Sequence, residues 1–242
     1  MEWELYRRRV TVFVGHFGSG KTEIALNGAL ELAASEMPVV LADLDVVKPY
    51  FRSRSARAIL SAAGVELLAP TGANVHADLP IIVPQIRSHL RRDHSRLIMD
   101  VGGDDVGARV LGSLSDVIPR TETDCFLVLN FRRPGTPDPQ HAVTVIREIE
   151  AVGRLAVNGL ISNTHLMDET TPEVVVDGYN QALQTARLAD VPLVAVTVGE
   201  SLVEELEEEN FECPVVALRR IVLPPFAQDL RRRTVGPLFV VN

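Results

Sequence analysis

The sequence predicts an α/β protein built on a doubly wound sheet. Three observations carry that expectation. Apolar runs alternate with helical patterns along most of the 242 residues. Most of those runs lack strict polar alternation, the habit of strands buried on both faces of a parallel sheet. No linker, repeat or break in composition divides the chain, and one open α/β sheet accommodates this length. One domain is therefore expected over 1–242, with an irregular tail from about residue 224.

The elements follow in order. Val10–Val14 reads as the first strand, a glycine-rich turn follows it, and a helix is expected over Thr22–Ala34, with Ile24, Leu26, Leu30 and Leu32 as apolar positions. Val39–Leu44 and Val65–Ala69 are the next strands. Pro70–Pro80 is rich in Gly, Pro and polar residues and reads as a loop. Leu97–Val101 and Phe126–Leu129 are strands, and a second polar loop spans Arg132–Asp138 before a helix over Asp138–Val152. Val157–Ile161 is a strand. Thr171-Pro172-Glu173 has the order of N-cap, first-position proline and early acid, opening a helix to about Ala189. Leu193–Val198, a helix over Ser201–Glu209 and a last strand, Val215–Leu218, complete the pattern. Beyond Pro224, Gly236-Pro237 interrupts any long amphipathic helix, and Leu238–Val241 is expected to pack on the domain.

Composition narrows the function. The formal net charge of -8 argues against a surface that coats DNA or RNA. Two cysteines, Cys125 and Cys213, are too few for a disulfide framework and read as buried thiols. The acidic start and the absence of a long apolar run predict a cytoplasmic protein without a targeting or membrane segment. Of the 24 Lys+Arg, only Lys21 and Lys48 are lysines. Arginine does not replace lysine at every site, so both are candidates for specific roles.

Gly15-His16-Phe17-Gly18-Ser19-Gly20-Lys21-Thr22 matches G-x-x-x-x-G-K-[ST] between a strand and a helix. The glycines let successive backbone N–H groups point at phosphate oxygens, and the helix N-terminus adds partial positive charge. Lys21 is expected on the β- and γ-phosphates and the Thr22 hydroxyl on Mg²⁺. The nucleotide-binding set is thus Gly15 to Glu23. Leu97-Ile98-Met99-Asp100 is an apolar strand ending in a carboxylate, so Asp100 is the second metal candidate. Asp100–Gly103 fits D-x-x-G, in which the Gly103 N–H senses a γ-phosphate. Asp104 extends the metal shell or caps the next helix, and Asp105 is read as a cap. Asp43 and Asp45 share a strand face, suited to orienting water or backing the metal, unless they simply end a strand. Lys48, Arg52 and Arg54 offer charge to phosphates, to a partner subunit or to an acidic substrate, or lie on a solvated helix start.

Together these motifs resemble the ParA/MinD/CobQ-CobB group of P-loop ATPases, of the SIMIBI class. The resemblance runs from the first strand to about residue 220. It implies a mostly parallel sheet of seven or eight strands flanked by helices, with Mg-dependent binding and hydrolysis of ATP and a nucleotide-sandwich homodimer. Members with the deviant motif carry a lysine directly after the first glycine, whereas this chain has His16, so activation across a dimer through that lysine is lost. Asn163 matches the base-contacting asparagine. Guanine-specific relatives use N-K-x-D; here the fourth position is Leu166, and adenine is favoured.

Two functions compete. One is a nucleotide-dependent switch acting on a partner, with switch segments after Asp45 and Asp100 and with Lys21, Asp43, Asp45 and Lys48 in catalytic roles. The other is a metabolic enzyme, dethiobiotin-synthetase-like or a small-molecule kinase, that phosphorylates a small acid bound near His76, Arg132 and Arg133. A metal-cofactor chaperone is disfavoured, because the cysteines and histidines are scattered.

Overall fold

A computed structural model of the chain describes residues 4–35, 37–44, 56–69, 75–103 and 105–221. Among them, eight strands form one sheet: β1 (Val10–Val14), β2 (Val39–Leu44), β3 (Glu66–Leu68), β4 (Arg96–Val101), β5 (Thr123–Leu129), β6 (Gly159–Ser162), β7 (Leu193–Gly199) and β8 (Val215–Leu218). Their order across the sheet is β3-β2-β4-β1-β5-β6-β7-β8, and every neighbouring pair is parallel. All the described strands therefore end at one edge, where open sheets of this kind place their sites.

Among the described residues six α-helices cover the two faces: α1 (Lys21–Leu32), α2 (Arg57–Ala62), α3 (Val75–Arg91), α4 (Asp105–Leu114), α5 (Pro139–Gly153) and α6 (Pro172–Ala189). Side-chain alternation divides the strands between two cores. Val10, Val12 and Val14 pack with Ile86 and Leu90 of α3, Leu111 and Leu114 of α4 and Ile146 and Ile149 of α5. Phe13, between them in sequence, faces the other way and packs with Ile24, Ala25 and Leu26 of α1. Burial on both faces explains why β1 and β2 read as unbroken apolar runs.

Two expected elements differ. Helix α3 begins at Val75, inside the stretch read as a loop over Pro70–Pro80. Pro80 and Pro84 masked it, but its later turns bury Ile86 and Leu90 against the sheet, and that burial outweighs local propensity. No α-helix spans Ser201–Glu209: there are two 3₁₀ turns, Glu200–Leu202 and Glu204–Leu206. Glu204, Glu205, Glu207, Glu208 and Glu209 repel one another at helical spacing, their charge opposes the helix dipole at that end, and Leu206 is the buried residue of the second turn. Helix α2 had no clear signal in the sequence. Asp105 is the first helical residue of α4 rather than the residue before it. Thr171 and Pro172 open α6 as expected. Cys125 is buried, whereas Cys213 is only half-buried; burial pushes their thiols up to about 12 and about 11. The segment from 222 onward lies outside the described residues.

The arginines near the strand starts serve the fold. Arg9 donates to the carbonyls of His89 (3.2 Å), Leu90 (3.0 Å) and Arg92 (2.8 Å) at the C-terminal end of α3, and to Glu122 at 2.8 Å. A forked guanidinium reaches several unpaired helix carbonyls at once, which an ammonium does less well.

Candidate nucleotide site

The loop between β1 and α1 closes around its own carbonyls. Gly15, Gly18 and Gly20 have φ of 144°, 79° and 92°, a region that favours residues without a Cβ. Within the loop the Ser19 N–H donates to the His16 carbonyl at 3.2 Å, and the Lys21 ammonium donates to the same oxygen at 3.2 Å. Lys21 is buried. The Ser19 hydroxyl is buried without a hydrogen-bond partner among the described residues. These are converging donors, the chemistry an anion with several oxygens requires.

Thr22 and Asp100 meet. The Thr22 hydroxyl donates to Asp100 Oδ2 at 2.6 Å, from the first turn of α1 to the end of β4. Asp43 lies beside Asp100 in the β2–β4 register, and both carboxylates are buried. This oxygen-only donor set beside a phosphate loop fits a hard divalent cation such as Mg²⁺. Gly103 comes against the loop so closely that a Cβ there would fall 2.2 Å from the Gly15 carbonyl carbon and 2.7 Å from the His16 nitrogen. Two sequence candidates, Asp45 and Lys48, lie outside the described residues, as do Arg52, Arg54 and Asp104.

The outer side of the loop is held by residues from β5 and β6. Asn163, just past β6, donates to the Ser19 carbonyl at 2.6 Å. Asn130, just past β5, donates to the Gly18 carbonyl at 3.1 Å, and Arg133 Nε reaches the same oxygen at 3.3 Å. His16 lies against Gly135, where a Cβ would come 2.7 Å from the imidazole. Phe17 is more than half exposed at the crown of the loop. Asn130 escaped sequence analysis because it belongs to no motif; its place at a strand end was the one available signal. Arg132, which the metabolic reading puts in a substrate pocket, instead pairs with Asp177 at 3.1 Å.

Past β8 the chain is fixed to α1. Asn27 exchanges two hydrogen bonds with Arg219, at 2.9 and 3.0 Å, and the Glu23 carboxylate accepts the Ile221 N–H. Arg220 pairs with Asp168 at 2.5 Å, two residues beyond Leu166. The segments after β6 and β8 thus flank the same side of the loop.

His165 connects these parts and titrates low. Its Nδ1 accepts the Met167 N–H at 3.3 Å, leaving Nε2 toward the phosphate loop and a hydrogen bond with the Gly18 backbone. Burial first, then the charges of Arg133 and Arg220, push its pKa down to about 4. The unfolded chain, near 6.5, takes up the proton first. His165 therefore supports the fold fully above pH 6.5, and that support fades as pH falls through 6.5 to about 4, by at most about 3 kcal/mol. His165→Gln should lose less melting temperature than wild type between pH 7 and pH 4.5, read by circular dichroism. Equal losses would remove His165 as the responsible group.

No protein-family model and no curated protein sequence matches the chain. Solved structures do. FtsY from Mycoplasma mycoides matches 82% of this chain and 62% of its own, at 18% identity and a TM-score of 0.54. Cell division protein FtsY from Thermotoga maritima matches 79% and 62%, at 19% identity and 0.53. The signal recognition particle receptor FtsY from Elizabethkingia anophelis, solved in complex with GDP, matches 83% and 60%, at 21% identity and 0.51. The chain spans about three fifths of the length of these solved chains. The likeness shows the fold alone, the parallel α/β sheet flanked by helices that this chain shares with those FtsY chains.

Proposed function

We propose that this chain is a Mg-dependent ATP-binding protein that hydrolyses ATP slowly and acts in the cytoplasm as a nucleotide-dependent switch on a partner, as a homodimer when ATP is bound. The observation that carries the reading is the Thr22–Asp100 contact of 2.6 Å beside the donors of Ser19 and Lys21. Lys21 would neutralise the β- and γ-phosphates, and Thr22 and Asp100 are the residues that would hold the metal. When bound there, Mg²⁺ would supply positive charge against the phosphoryl oxygens. Asp43 backs Asp100, and Asp45 and Lys48 are proposed for the first switch. Gly103 is proposed as the reporter of the γ-phosphate, since the loop it abuts is the one that would move on phosphate binding.

The preference for adenine rests on Leu166, which offers no acceptor where guanine presents N–H donors. Asp168, the next carboxylate, is paired with Arg220. Asn163 is proposed beside the base. The metabolic alternative is less well supported, because Arg132 and Arg133 are engaged with Asp177 and Gly18. No helix among the described residues is long and apolar enough to cross a membrane.

Sedimentation of the protein with MgATP and with MgADP, alongside ATP and GTP titrations, tests the proposal. A dimer with ATP, a monomer with ADP and weaker GTP binding are expected. The same profile with both nucleotides would overturn the switch, and tighter GTP binding would overturn the choice of base.

A further inference from the structure

Asn130 is completely buried, and its amide is used at both ends. Nδ2 donates to the Gly18 carbonyl (3.1 Å) and the His165 carbonyl (3.3 Å). Oδ1 accepts from the N–H of Arg132 (3.0 Å) and of His165 (3.3 Å). One side chain thus joins the phosphate loop, the loop after β5 and the stretch after β6.

Its contact with Gly18 has a chemical consequence. In a planar trans peptide the C=O and the following N–H point in opposite directions. A Gly18 carbonyl held outward fixes the Ser19 N–H inward. That N–H shares the His16 carbonyl with the Lys21 ammonium, so it lies on the side where Lys21 works. Asn163 does the same one peptide later, through the Ser19 carbonyl.

We infer that Asn130 is a positioning residue of the nucleotide site, acting through the Gly18 peptide to aim the Ser19 N–H at a bound phosphate. This rests on the reading of the loop as a nucleotide site. Asn130→Asp keeps the shape and the two accepting contacts but sets a carboxylate against two carbonyls. Thr136→Val is the comparison: Thr136 is buried in the same loop and donates to the Asn130 carbonyl at 3.1 Å, without touching Gly18.

Calorimetric titration of the full chain with MgADP and with inorganic tripolyphosphate, at a temperature where circular dichroism finds each variant folded, tests the inference. N130D is expected to weaken both ligands ten-fold or more, whereas T136V lowers the melting temperature and leaves both affinities unchanged. Wild-type affinity in N130D would overturn the positioning role and leave the nucleotide site standing. Failure of the wild-type chain to bind either ligand would overturn both. A measurement on the wild-type protein needs no variant: the Ser19 amide proton should move downfield when ADP binds, as a phosphate oxygen replaces the His16 carbonyl. An unmoved resonance would equally overturn the inference.

Discussion

Lys21→Ala is expected to lower ATP affinity by more than 100-fold and to abolish hydrolysis. Truncating one partner of a buried charge contact costs about 2–5 kcal/mol, and each 1.4 kcal/mol is a factor of ten. Lys21 is buried and anchored on the His16 carbonyl beside the Ser19 N–H, so no mobile surface group stands ready to replace it. The arginine-rich composition sharpens the test. Lys21→Arg keeps the charge but brings a wider, planar group into a closed loop, and it should fail nearly as badly as alanine. Titration with a fluorescent ATP analogue reads both variants. Full affinity in Lys21→Ala would sink the assignment of the loop.

Gly103→Ala is expected to have the second largest effect, about a 100-fold loss of hydrolysis, through sterics rather than charge. The added Cβ would fall 2.2 and 2.3 Å from the carbon and oxygen of the Gly15 carbonyl. Those are backbone atoms, so no rotamer change relieves the clash; either the phosphate loop or the segment after Asp100 must shift. Misplacement of a reacting group by about 1 Å costs about two orders of magnitude in rate. Gly64→Ala is the control. Gly64 has φ of 78° with nothing within 4 Å of a built Cβ, so that change should cost about 1 kcal/mol of stability and leave hydrolysis intact. Equal hydrolysis rates in G103A and wild type would show that the approach of Gly103 to the loop has no part in turnover.

How much of this was legible in the sequence follows from where the information lies. Gly15–Thr22 is contiguous and bounded by a strand and a helix, so its place needed no tertiary knowledge. Asp100 could be read because a carboxylate closing an apolar strand is conspicuous, and the structure brings it to Thr22. The parallel sheet was legible from doubly buried runs such as β1. Helix α3 was hidden because Gly and Pro counted against it, while the burial of Ile86 and Leu90 is visible only in three dimensions. The stretch Ser201–Glu209 misled in the reverse sense, having helical residues but little apolar face to bury. Asn130 and His165 were the least legible. Their importance comes from loops that meet in space, 112 residues apart in the Asn130–Gly18 contact.

The strand order also bears on how the chain becomes competent. β1, the strand that carries the phosphate loop, pairs with neither β2 nor β3, but with β4 and β5: Val10 lies opposite Leu97 on one side and Thr123 on the other. Such non-local pairing closes late, because the entropy of a long loop must be overcome before the contacts reward it. The loop is made early in synthesis, yet its braces at Asn130, Asn163 and His165 are translated more than a hundred residues later. A nascent chain therefore carries the motif long before it carries the braces that hold it, and on the proposed reading nucleotide capture would follow the completion of folding rather than start it.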